Sequence, residues 1–132
     1  MPPSFVSYLL VAAGGALGSC SRYALAGMVA TRWPGFPWGT LAVNAIGSYL
    51  IGAILQVASA TTSFPPEARI FLTVGVMGGF TTYSTFSYET VKLLQTGNWA
   101  MAAANAFGTL VLCVGLCWIG IVTGRAIAGG AA

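Results

Sequence analysis

The sequence has no histidine and no aspartate, and of its 132 residues only five Lys or Arg and two Glu carry charge. Without His or Asp, the usual residues of acid–base and metal-dependent catalysis are missing. No nucleophile–base pair is visible, which disfavours an intramembrane enzyme. Charged residues make up 5% of the chain and hydrophobic residues 57%, whereas about a quarter of a soluble domain is charged. Such a chain is made for lipid. The net charge of +3 comes from scattered positions, so no basic surface is on offer to a phosphate backbone, and nucleic acid is excluded as a partner. The three cysteines, Cys20, Cys113 and Cys117, lie in apolar surroundings. Cys113 and Cys117 share a helix face, but with no His and no second Cys pair they read as small buried hydrophobes, not as metal ligands.

What is present is length enough for one domain and four stretches that can each cross a bilayer, which takes about 20 mostly apolar residues. The spans are expected at about 4–30, 39–59, 67–96 and 99–126, making residues 1–132 a single transmembrane domain and the fold an all-α integral membrane protein. The first span has no basic segment before it and no cleavage site leading to a polar chain, so it reads as a retained span and not as a signal peptide. It stops at Thr31-Arg32-Trp33-Pro34-Gly35-Phe36-Pro37-Trp38, where prolines end helices and tryptophans favour the membrane interface. Pro66 and Glu67 suit the N-terminus of the third span. Gly97-Asn98 make the turn into the fourth, and residues 129–132 read as a loose tail.

Four spans place both termini on one side. Arg69 and Arg125 fall on that side, and Arg22, Arg32 and Lys92 on the other. Three charges against two give the positive-inside rule almost nothing to act on. The chain is therefore expected to insert in both orientations, which permits an antiparallel homodimer. Small residues at helix-packing spacing, Gly14 with Gly18 and Gly120 with Gly124, let helices approach closely.

The stretch GVMGGFTTYSTFSYE at 75–89 is unlike the rest. It carries Gly78-Gly79, the hydroxyls of Thr81, Thr82, Ser84, Thr85 and Ser87, and two rings, Tyr83 and Phe86. Polar groups without partners are costly in a membrane helix, so this many at one depth face protein, water or an ion. Glycine weakens a helix interior, which places a break at Gly78-Gly79. Broken helices at membrane depth line cavities, and their carbonyls can coordinate a small cation.

Two further stripes complete the polar inventory: Thr40, Asn44 and Ser48 on the second span, and Asn105, Thr109 and Cys113 on the fourth, each at i, i+4 and i+8. As hydrogen bonds between helices, each would contribute under about 1 kcal/mol. As a pathway, amides, hydroxyls and aromatic edges suit a small hydrated anion that must bind weakly enough to leave. The same oxygens could serve a cation, so the residue types leave the sign of the ion open. Arg22 either snorkels to the interface or attracts anions from a vestibule. Glu89 pairs with Lys92 one turn on, or hydrogen-bonds across the bundle.

The runs GGFTTYSTFSYE at 78–89, WGTLAVNAIGSYLIG at 38–52 and GGALGSCSRY at 14–23 resemble the Fluc (CrcB) family of bacterial fluoride channels, in order and over nearly the whole chain. The resemblance implies four-span subunits in an antiparallel, dual-topology homodimer in the bacterial inner membrane. It further implies two pores that export fluoride passively, and a structural Na+ at the dimer centre as the only cofactor. Residue by residue, it implies that Asn44, with Thr40 one turn before it, lines the fluoride pore. The family's two phenylalanines, whose ring edges face the ion, fall on Tyr83 and Phe86 beside the hydroxyls of Ser84 and Thr85. The polar track of the fourth span falls on Asn105, Thr109 and Cys113. Arg22 and Glu89 match the family's arginine and glutamate. The backbone carbonyls of Gly78 and Thr81 fall where sodium is held. Tyr83 departs from the commoner phenylalanine, adding a donor and bulk, and is expected to alter throughput. Cys113 stands where a serine would be expected.

Two other classes compete. A proton-coupled cation transporter of the small multidrug type also has four short spans, but its chemistry needs a carboxylate deep in the first span, where this chain has only Arg22. A membrane scaffold would explain the glycines but not the polar cluster of the third span.

Overall fold

The computed structural model describes residues 4–129 and is helical throughout apart from short connections. Residues 130–132 of the expected tail lie outside the described residues, and Gly129 ends the last helix rather than joining a tail. Helix α1 (Phe5–Arg32) starts at Ser4, whose hydroxyl accepts from the Ser7 N–H at 3.2 Å, an N-cap that satisfies one of the free donors of the first turn. It ends where Trp33 and Pro34 follow, and Gly35 turns the chain with φ 102°, a left-handed conformation that glycine adopts freely. Helix α2 runs Trp38–Ala60. The third span is composite: α3 (Pro66–Ile70), a π-helical segment (Phe71–Met77), α4 (Gly78–Phe80), two extended residues, and α5 (Tyr83–Gln95). Helix α6 runs Trp99–Gly129.

The turn between α5 and α6 is a Schellman motif. Gly97 adopts φ 78°, its N–H donates to Leu94 at 3.1 Å, and the Asn98 N–H donates to Leu93 at 2.9 Å. Those bonds satisfy two carbonyls that the end of α5 would leave open. Three helices, α1, α2 and α6, are each long and apolar enough to cross a membrane on their own. The third crossing falls short of that standard because it is interrupted.

The glycines set how the spans pack. A Cβ on Gly14 would stand 2.7 Å from the Phe71 carbonyl oxygen, and one on Gly18 would collide with Val76 and Phe80 backbone atoms. On the other pair, a Cβ on Gly120 would strike Tyr49 backbone, and one on Gly124 would stand 2.7 Å from the Ala53 oxygen. In both pairs later residues meet later residues, so α1 lies parallel to the first half of the third span, and α2 parallel to α6. Val43, Met77 and Phe80 form the buried apolar centre, with Leu25, Leu50 and Ile54 around it.

Two expectations are corrected. Gly78 and Gly79 do not break the helix: Gly78 is helical at φ −62°, ψ −37°, and the extended residues are Thr81 (ψ 157°) and Thr82 (ψ 115°). Gly79 serves proximity instead, since a Cβ there would lie 2.6 Å from the Gly15 carbonyl oxygen. Nor are the cysteines buried. Cys20 is exposed and Cys113 and Cys117 are half-buried: Cys113 lines a cavity beside α2, and Cys117 lies against Gly52 of α2.

The break redirects the span. Its first half packs on α1, whereas α5 makes no contact with α1 and lies against α6.

Candidate functional site

A helix that stops at Phe80 and restarts at Tyr83 must find partners for the backbone groups in between. Asn44 of α2 provides two of them. Its Nδ2 donates to the Thr82 carbonyl at 2.9 Å, and its Oδ1 accepts from the Thr82 N–H at 2.7 Å. The side-chain amide thus pairs with one residue as a neighbouring peptide would, and the paired donor and acceptor fix which way the amide points. Thr82 caps α5 in turn: its hydroxyl accepts from the Thr85 N–H at 3.2 Å and donates to Thr85 Oγ1 at 2.9 Å. Ser84 Oγ lies 3.4 Å from the same hydroxyl.

These bonds leave two carbonyls without a helical donor. The Thr82 N–H that would have reached Gly78 goes to Asn44, and the Thr85 N–H that would have reached Thr81 goes to Thr82. The Thr81 side chain bonds back to Met77 at 3.0 Å. The carbonyls of Gly79 and Phe80 receive no backbone donor across the break either, so the Gly78 and Thr81 oxygens are two of four hard backbone oxygens open there.

A cavity of about 730 Å³ opens beside it, between α2, α5 and α6. Asn44, Thr81, Tyr83, Phe86, Thr109 and Cys113 all line it, together with Ser48, Ser87 and Thr90. The Tyr83 and Phe86 rings are 5.5 Å apart and tilted by 45°, an arrangement that presents ring edges as well as faces. Tyr83 is 80% exposed, so its ring looks out of the subunit.

The remaining expected residues lie elsewhere. Thr40 is buried and donates to Glu89 Oε1 at 2.9 Å. Of the two roles open to Glu89, the bond across the bundle is the one seen, and Lys92 lies over the Tyr88 ring instead, 6.0 Å from its centroid. Glu89 Oε2 is buried with no partner. Asn105, only 1% exposed, donates to Thr90 Oγ1 at 2.9 Å and accepts from Thr109 at 3.4 Å. Thr90 Oγ1 then donates to the Phe86 carbonyl at 2.7 Å. Asn105 sits behind the cavity wall and reaches the rings through Thr90. Arg22 is half-buried on α1, the helix that α5 does not touch. Ser84 and Thr85 are exposed around the Thr82 cap.

Thr90 was not among the residues expected at the site. It continues the face of Tyr83 and Phe86 by one more helical turn, and that spacing is the signal that would have found it.

Residues 9–121 match the family model described as CrcB-like protein, Camphor Resistance (CrcB). A protein of Thermus thermophilus named fluoride-specific ion channel FluC is 52% identical over 123 residues, covering 92% of this chain and 98% of its own. Proteins of the same name from Geobacter sulfurreducens and Geobacter metallireducens are 50% and 47% identical, over 89% and 91% of this chain and 95% and 98% of theirs. With a family model spanning most of its length and relatives this similar end to end, the chain belongs to the CrcB family of multi-pass membrane ion channels, and not to a family of enzymes.

Proposed function

We propose that this protein is a fluoride-selective channel that lets fluoride leave the cell passively across the bacterial inner membrane. It works as an antiparallel homodimer with two pores. The observation that carries this reading is the cavity beside the break, where Asn44, Tyr83, Phe86, Thr109 and Cys113 converge. Its lining offers amide, hydroxyl and thiol protons and ring edges but no fixed charge, which suits rapid passage of a small anion. The names of the similar proteins support fluoride as that anion. The highly exposed Tyr83 ring and the open side of the cavity support a second copy that closes it. The rival cation transporter finds no support: α1 contains neither of the two glutamates.

Na+ fits the break. The carbonyls of Gly78 and Thr81 lack helical donors, and two copies would supply these oxygens twice over; neutral hard oxygens suit a small hard cation. Bound there, sodium would supply positive charge that holds the two broken spans together. Protein kept in choline instead of sodium is expected to unfold at a lower temperature, and an unchanged midpoint would remove the ion from this account.

The function is tested by ion efflux from liposomes containing the purified protein, read with fluoride and chloride electrodes. Fluoride is expected to leave rapidly and chloride to stay. Release of neither ion, or of both at similar rates, would overturn the reading. Tyr83→Phe in the same assay is expected to change the rate, because it removes the hydroxyl from one of the two rings.

A further inference from the structure

A second cavity, of about 450 Å³, lies on a different face of α2, where α1 ends and α2 begins. Its walls are Val29 of α1, Trp33, Trp38, Ala42 and Ala45 of α2, and Leu112 of α6. The walls are apolar, but the mouth is not. Trp33 and Trp38 are 57% and 46% exposed, and each carries an indole N–H. The Arg32 guanidinium carbon stands 5.9 Å from the centroid of the Trp33 ring, so a cation is held at the rim by one of the cavity's own walls.

No carboxylate of the chain is available to Arg32. Glu67 opens α3, at the other end of the bundle. Glu89 is engaged with Thr40 through Oε1, and its Oε2 has no partner. A second copy of the chain brings only the same two acids, so it matches this rim poorly. A bilayer matches it well. Tryptophans and a terminal arginine mark the depth at which acyl chains meet headgroups, and a slot with apolar walls and a cationic rim suits one chain below and one phosphate above.

We infer that the groove between α1, α2 and α6 binds an anionic phospholipid, with an acyl chain against Ala42, Ala45 and Leu112 and its phosphate at Arg32 and the two indoles. The site stands apart from the ion cavity, which shares none of its lining residues.

Tryptophan emission tests the site directly. Trp99 and Trp118 are 69% and 68% exposed, so Trp99→Phe with Trp118→Phe leaves only the two groove tryptophans in a protein whose packing is undisturbed. This protein is placed in phosphatidylcholine vesicles carrying a small fixed fraction of either dibrominated phosphatidylcholine or dibrominated phosphatidylglycerol, since bromine quenches indoles on contact. The anionic lipid is expected to associate about fivefold better, the preference conferred by one cation near a membrane surface. Arg32→Gln should bring the two lipids to equality. Ala45→Phe, which fills the slot, should lower quenching by both. Fluoride efflux from each variant reports that it has folded. Equal quenching in the parent protein, or a preference that survives Arg32→Gln, would overturn the inference. Absence of quenching by either lipid would do the same, because it would mean that a second copy covers the groove.

Discussion

Asn44→Asp is expected to leave a folded helical protein that releases fluoride about ten to a hundred times more slowly than the parent. The estimate follows from the geometry at Thr82. Asparagine gives that residue both a donor at 2.9 Å and an acceptor at 2.7 Å. An ionised aspartate keeps the acceptor and turns the donor into a second oxygen facing the Thr82 carbonyl. A buried carbonyl that loses its partner costs about 1–3 kcal/mol, and each 1.4 kcal/mol is tenfold in an equilibrium. The break shifts, the Thr82 cap of α5 shifts with it, and a negative charge now lines a cavity read as an anion path. The measurement is the initial rate of fluoride efflux, paired with circular dichroism and size-exclusion profiles to confirm folding. A parent-like rate would mean that the clamp on Thr82 is irrelevant to passage.

Gly18→Ala is expected to have the larger effect on folding, although it adds a single methyl. The new atom would collide with Val76 and Phe80 backbone, and backbone cannot rotate aside as a long side chain can. Overpacking of this kind costs about 1–3 kcal/mol or more, and here it separates α1 from the span that carries the break. Gly27→Ala on the same helix meets nothing within 4 Å and is the control. The expected outcome is a lower unfolding midpoint and poor yield for Gly18→Ala, with Gly27→Ala matching the parent. Equal stability of the two would mean that α1 and the third span are not held by this close approach.

Much of this was legible in the sequence because membrane spans and interfacial tryptophans are local signals. The cluster of hydroxyls at 81–87 marked the third span as facing protein, water or an ion, because polar groups at that depth need partners, and an interruption was expected from the glycines beside it. Its location was not legible. Gly78-Gly79 drew attention as flexible residues, whereas Gly79 is a small residue where α1 comes close and Gly78 is an ordinary helical residue. The real break, at Thr81-Thr82, is held open by an asparagine on another helix, and no local pattern encodes a partner so far away. The π-helical segment Phe71–Met77 left no trace in the pattern either. Asn44, Tyr83, Phe86, Thr109 and Cys113 line one cavity; spacing put Thr109 and Cys113 on one helix face, but nothing in it said which helices would meet. Asn105 shares the stripe of Thr109 yet turns inward to Thr90, a choice made by the packing of α5 on α6.

The parallel pairing of α2 with α6 bears on how a cell makes this protein. Gly52 of α2 packs against Cys117 backbone, and Gly120 and Gly124 against Tyr49 and Ala53, so the second helix to leave the ribosome waits for the last. Contacts between distant segments are slow to form because a long loop must close first. Until α6 is made, Gly52 of α2 lacks the Cys117 backbone that it packs against in the finished fold. Docking of the final helix then completes this contact, and a chain truncated before Gly120 is expected to insert without the close approach to Tyr49 and Ala53.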